Sequence, residues 1–305
     1  VGAGKFLRGL VRAVPPADVT AIVNTGDDIE VHGLHVSPDL DSVMYWLGGV
    51  ADRERGWGRE GETFRTTEEL LRMEAEGAWF GLGDLDLATH LRRTAMLRSG
   101  RSLTEATAEL CHSFAVDARL LPMSDDPVTT RIDTVDEGGA ALDLHFQEYW
   151  VQRGAEDEVK GVRYQGADAA RPAAGVVEAL QGSDAVVICP SNPVASIGPI
   201  LAVPGIGEAL AGRPDRVVGV SPIVGGAPLR GMADKLMPVA GLEVTAAGAA
   251  GAYAGLIGAW VIDEVDAALA DPIRATGLRV GVIDTIMDDD DKAEALARFA
   301  LAQLS

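Results

Sequence analysis

Short apolar runs alternate with amphipathic stretches along this chain, the rhythm of an α/β protein. Residues 19–23 (VTAIV) form an apolar run that reads as a buried parallel strand. After Ser37-Pro38-Asp39-Leu40-Asp41 the pattern turns helical, with Val43, Met44, Leu47 and Val50 at helical spacing. Residues 51–64 read as an irregular charged connection containing Trp57, and residues 66–77 as a short polar helix. A helix is expected behind Gly83, and another over 103–118 with Leu110 and Phe114 inward. The period then changes. Residues 128–135 and 141–146 alternate around Glu137-Gly138-Gly139, predicting a β-hairpin, with a further strand at 159–164. From there the α/β rhythm resumes: helix 173–180, strand 185–189, strand 216–220, strand 279–283 and helix 290–304.

The expected fold is therefore α/β, a Rossmann-like three-layer core with a parallel sheet and a smaller inserted helical/β subdomain. The expected organisation is a first part of the core with a helical insertion at 1–120, a small β insertion at 121–170 and the second part of the core at 171–305. Residues 246–262 are the most apolar stretch, just short of a membrane span and rich in Gly and Ala. They read as a tightly packed core helix leading into a strand, and would also suit a buried interface in a homodimer.

At the amino end, VGAGK is a glycine-rich turn opening a helix that Pro15-Pro16 stops. A strand of about ten residues or fewer is expected in front of it. Gly2, Gly4 and Lys5 there suit a phosphate cradle at a helix N-terminus. Phe6 stands where a P-loop needs Ser or Thr, so this is no P-loop. The same glycines would equally serve close helix–strand packing.

Composition narrows the function. The 305 residues are 47% hydrophobic, enough for a sizeable core. A net charge of −20 argues against nucleic-acid or anionic-membrane surfaces as partners. Two distant cysteines, Cys111 and Cys189, without a C-x-x-C, point to a reducing, cytoplasmic setting and no zinc site.

The candidate chemistry gathers at strand ends, where open α/β sheets bind ligands. Asn24, Thr25, Gly26, Asp27 and Asp28 follow the first apolar run, and Asp39 and Asp41 come soon after. Oxygen ligands of this kind suit Mg²⁺, which commonly pairs with phosphate-bearing substrates. Turn and cap chemistry would use the same residue types. Asp84, Asp86, Thr89 and His90 form a second dense group behind Gly83. Ser124-Asp125-Asp126-Pro127 also could face a site. The loops Ser191-Asn192-Pro193 and Ser221–Gly226, the latter with Gly225 and Gly226, follow apolar strands and could hold a nucleotide.

Taken together, VGAGKFLRGL, VNTGDD, SPDLDSVMY, LGDLDLATH, LPMSDDPV, HFQEYWV, PSNPVASIGPI, SPIVGGAPLRG and KLMP occur in this order over essentially the whole chain. The set resembles the 2-phospho-L-lactate transferase family of deazaflavin coenzyme F-420 biosynthesis, whose bacterial counterpart resembles a phosphoenolpyruvate transferase. The resemblance implies a guanosine-diphosphate ester of lactate or enolpyruvate as donor and the deazaflavin Fo as acceptor, through its ribityl hydroxyl. It implies GMP as a product and Mg²⁺ as cofactor. Asp39 and Asp41 are then expected at the metal and in catalysis, and Asp41, Gly81, Asp84, Asp86, Thr89 and His90 at the acceptor. Gly2, Gly4, Lys5, Asn24, Ser191, Asn192, Pro193, Ser221, Gly225 and Gly226 are expected at the nucleotide. The family pattern carries basic residues where this chain has Gly81 and Leu85, so compensating charge is expected from Arg92 or Lys5. A nucleotide-sugar-binding regulator without chemistry is the competing class; clustered acids at the strand end favour the transferase.

Overall fold

The computed structural model describes residues 2–136 and 138–304, so Val1 and Glu137 of the expected glycine turns lie outside the described residues. Four parallel strands form the larger sheet, in the order Arg279–Val282, Ala259–Ile262, Val217–Val220, Val186–Ile188. The two central strands, Ala259–Ile262 and Val217–Val220, are buried throughout, as a sheet between two helical layers requires. Phe6, Val218, Val220, Val261, Leu296 and Ala297 pack together on one face, under helices Gly2–Ala13 and Asp290–Ala302. These two helices approach closely because Gly9 has no Cβ; one built there would lie 2.2 Å from the Ala293 backbone. Trp260 is fully buried on the other face and donates to the Ala246 carbonyl at 3.0 Å. The apolar run 246–262 is thus a short helix, Ala246–Gly251, and a core strand, Ala259–Ile262. No helix among the described residues is long and apolar enough to cross a membrane.

A second parallel pair joins Thr20–Val23 to Arg119–Pro122. The latter strand is hidden in the sequence, because it directly follows a helix whose expected end at 118 is in fact Ser113. Ala115, with φ +52°, turns the chain between them. Leu40, Val43, Met44, Ala106 and Leu110 cover this pair. A cavity of about 840 Å³, lined by Ile22, Val187 and Leu7 among others, separates strand Thr20–Val23 from strand Val186–Ile188.

The insertion is a three-stranded antiparallel sheet, Ala141–His145, Thr129–Val135 and Gly161–Gln165. Its Ile132, Phe146 and Tyr149 share one apolar cluster with Val217 and Trp260, so the insertion has no core of its own. One hairpin goes unseen in the sequence: Ile29–Val31 with Leu34–Val36, turned at His32 and Gly33. Both turn residues have positive φ, 52° and 73°, the demand of a two-residue hairpin turn.

Candidate active site

The carboxyl ends of both parallel sheets open onto one cavity of about 1000 Å³. Helix Pro38–Leu47 begins there and brings Asp39 and Asp41 to the lining. Ser37 precedes this helix but does not cap it; its hydroxyl donates instead to Asp28 Oδ2 at 2.7 Å. Asn24 Nδ2 donates to Asp39 Oδ2 at 3.0 Å, and Asn24 Oδ1 accepts from the Gly26 amide at 2.7 Å. Asn24 therefore stands behind the lining and orients Asp39.

Asp27 lines the cavity and is 6% exposed. Its Oδ1 has no hydrogen-bond partner. Burial, then the neighbouring Asp39 charge, raises its pKa well above the usual carboxylate range. Burial also raises Asp39, against the Asn24 hydrogen bond. The buried Asp27 and the half-buried Asp39 lie beside each other, one with an orphan oxygen, and make an anionic niche without a side-chain ion pair among the described residues. This is a fit for a divalent cation with oxygen ligands.

Asp41 is different. Arg93, itself 1% exposed, grips both of its oxygens, with Nη1 3.0 Å from Oδ2. Burial works against the Arg93 charge, but Asp41 outweighs it and the pKa rises. His90 Nδ1 lies 3.6 Å from Asp41, and Nε2 lies 3.4 Å from Asp86. Tyr45 donates to Asp86 Oδ1 at 2.5 Å and accepts from the Thr89 hydroxyl at 2.7 Å. Burial opposes ionisation of Asp86, yet His90, Tyr45 and Arg93 together lower its pKa. Asp41, Asp86 and His90 hold ligand-type atoms within 4.8 Å of one another, and Arg93 pairs with Asp41 there. Asp41 is thus paired with an arginine, whereas neither Asp27 nor Asp39 makes a side-chain ion pair among the described residues.

The expected site residues divide accordingly. Gly2, Lys5, Asp39, Asp41, Gly81, Asp86, His90, Ser191, Asn192 and Ser221 line this cavity. Others expected at the site do not. Asp84 accepts from Thr63 Oγ1 and from the Arg65 and Thr66 amides, which caps the neighbouring helix and holds its pKa down to about 2. Thr89 lies behind Tyr45. Gly4 serves packing, since a Cβ there would meet the Trp46 ring at 2.5 Å. Pro193 is buried in the turn that Asn192 caps through the Val194 and Ala195 amides. Gly225 and Gly226 form a tight hairpin turn with φ +60° and +81°, and the Gly225 amide donates to Asp266. Asp125 and Asp126 accept from the Thr104 and Arg171 amides, so that loop ties elements together. Arg92 pairs with Glu109 away from the cavity; the lining cations are Lys5, Arg55 and Arg230. Sequence reasoning did not select Arg55, Arg230, Trp57, Phe146 or Trp150. Their motifs, RGWG, HFQEYW and PLRG, were the available signal.

Fold and site together define an α/β protein built around a carboxylate-lined cavity at the sheet ends. The family model of the 2-phospho-L-lactate transferase CofD matches residues 1–297. A phosphoenolpyruvate transferase of Streptomyces griseus is 50% identical over 302 residues, covering 99% of this chain and 95% of that protein. A 2-phospho-L-lactate transferase of Methanosarcina acetivorans is 42% identical over 300 residues, covering 98% and 95%. The crystal structure of a Bacillus halodurans protein of the UPF0052 family superposes with TM-score 0.63 at 18% identity, over 99% of this chain and 96% of that one, a likeness of fold. The chain belongs to the CofD family of transferases in coenzyme F-420 biosynthesis.

Proposed function

We propose that the protein transfers a phosphoenolpyruvyl group, or its 2-phospholactyl counterpart, from a guanosine-diphosphate ester to the deazaflavin Fo. The ribityl hydroxyl oxygen of Fo attacks the phosphorus bearing the organic acid. The bond from that phosphorus to the GMP oxygen breaks, and the hydroxyl proton passes to a carboxylate. Enolpyruvyl is preferred because the phosphoenolpyruvate transferase of S. griseus is 50% identical, against 42% for the M. acetivorans phospholactate enzyme. Two free thiols, Cys111 and Cys189, are in keeping with a cytoplasmic enzyme.

The observation that carries this reading is the division of one cavity in two. Ser191, Asn192, Gly2 and Lys5 stand on the side of the larger sheet, suited to a diphosphate. Asp86, His90 and Tyr45 stand on the side of helix Asp84–Arg98, suited to a hydroxyl acceptor. Asp27 and Asp39 lie between chemistry-bearing loops and would hold Mg²⁺. When bound, that ion supplies charge neutralisation for the diphosphate. Asn24 fixes the Asp39 rotamer, and Arg93 fixes Asp41. Asp86 stays ionised and is assigned as proton acceptor; phosphoryl transfer with a loose transition state asks little basicity of it.

The test is direct. Protein, Fo, the enolpyruvyl donor and Mg²⁺ are mixed, and GMP and the phosphodiester product are followed by chromatography. Donor and Fo both unconsumed would leave the competing reading, a nucleotide-binding regulator.

A further inference from the structure

A carboxylate on a loop is no better fixed than the turn that bears it. Asp27 sits on a turn closed by the Asp28 amide, which donates to the Thr25 carbonyl at 3.2 Å. The residues on either side of Asp27 are both gripped by the β insertion. The Thr130 amide, on strand Thr129–Val135, donates to the Gly26 carbonyl at 2.7 Å. His145 Nε2, at the end of strand Ala141–His145, lies 3.1 Å from the Asp28 carbonyl. These two strands pair side by side, so Asp27 is bracketed by two hydrogen bonds from one small sheet. The fit leaves no slack, since a Cβ on Gly26 would lie 2.6 Å from Thr130 Oγ1.

The proton on the His145 ring can be placed. The Gln147 amide donates to Nδ1 at 3.0 Å, so Nδ1 is the bare nitrogen. Burial lowers the His145 pKa, which keeps the ring neutral. Nε2 therefore carries the hydrogen and donates to the Asp28 carbonyl. Phe146 and Gln147 line the cavity, while His145 stands behind that lining and is 8% exposed. Its reach into the site runs through the turn.

The structure assigns His145 as a positioning residue for Asp27: by holding the Asp28 carbonyl, it keeps the Asp27 carboxylate aimed into the cavity for a divalent cation. This rests on the cation reading of Asp27 and deepens it. It also gives the β insertion, which has no core of its own, a part in the site.

The two ring nitrogens can be tested separately. An Asn side chain reaches where Nδ1 stands and can accept from the Gln147 amide. A Gln side chain reaches where Nε2 stands and can donate to Asp28. Mg²⁺ is titrated into the full chain, read by calorimetry and by melting temperature, for wild type, His145→Ala, His145→Asn and His145→Gln. His145→Gln should keep most of the Mg²⁺ affinity. His145→Ala and His145→Asn should each weaken it by about tenfold, the scale of losing an outer partner of a metal ligand. In an Asp27→Asn background, His145→Asn should bring no further loss. Affinity kept by His145→Asn overturns the assignment, because the ring then serves only its own turn. Equal loss in all three variants also overturns it, since the ring then matters only as packing. So does a His145→Asn loss that adds in full to that of Asp27→Asn. Should His145→Ala fail to fold, the Asn and Gln variants still decide. Wild type without any Mg²⁺ response removes the cation reading of Asp27, and the positioning role with it.

Discussion

The Arg93 guanidinium and the Asp41 carboxylate form a buried forked pair, 52 residues apart in sequence, with Nη1 3.0 Å from Oδ2. Side-chain exposures of 1% and 5% leave neither charge to water. The pair locks helix Asp84–Arg98 to helix Pro38–Leu47, and so sets the wall on which Asp86 and His90 sit.

Removing one member should therefore cost more than removing both. Arg93→Met leaves Asp41 buried and uncompensated, and is expected to destabilise the fold by about 3–5 kcal/mol. Arg93→Met with Asp41→Leu should recover much of that loss. Urea unfolding of the three proteins checks it; a double variant as unstable as Arg93→Met would show that the pair's charges are not the determinant.

Asp27 supplies a pH signature. A carboxyl whose folded pKa is raised above its unfolded value binds its proton more tightly in the folded state. Its penalty is absent below about pH 4, grows as pH rises through the folded pKa, and is complete above it. Asp27→Asn should thus raise the melting temperature at pH 7 to 8 and have little effect near pH 3. Mg²⁺ should raise the melting temperature of wild type at neutral pH, by linkage, and raise that of Asp27→Asn much less. An equal Mg²⁺ response in both proteins would take Asp27 out of the cation niche.

Gly81 has room for a basic residue. A Cβ built there meets nothing within 4 Å, and the position lines the cavity. Gly81→Lys should therefore fold normally and tighten donor binding at low salt. The gain should shrink at high salt, because exposed charge pairs are screened over about 8–10 Å near physiological ionic strength. Donor titrations at two salt concentrations decide this, and an unchanged affinity with an unchanged salt slope would place the side chain away from the phosphates.

Asn192 caps its turn through two backbone amides, at 2.9 and 3.2 Å. Asn192→Ala should cost about 1 kcal/mol of stability, the usual scale of a lost cap. It should weaken GDP binding with little effect on Fo. Calorimetry that shows equal loss of both ligands would make the loop a support of the fold alone.

Sequence by itself determined the apolar strands at the core, because β-branched runs such as AIV and AVVIC can be buried only within a covered sheet. It also picked out Asp39 and Asn192 from their types in loops near strand ends, and Asp86 and His90 from the density of polar groups behind Gly83. It left the hairpin at His32-Gly33 and the strand Arg119–Pro122 unread, since His is an uncommon occupant of a positive-φ turn and the strand abuts a helix. Only the tertiary structure decided what each carboxylate does. Asp84 and Asp86 differ by two positions on one helix, yet one caps a neighbour in water and the other accepts from Tyr45 inside the cavity. Asp39 and Asp41 differ in the same way: one lies beside Asp27 with no side-chain ion pair among the described residues, and the other is paired with Arg93. A carboxylate's role is set by its burial and by the charges beside it. Those neighbours come from residues tens of positions away, brought together only when the helices pack.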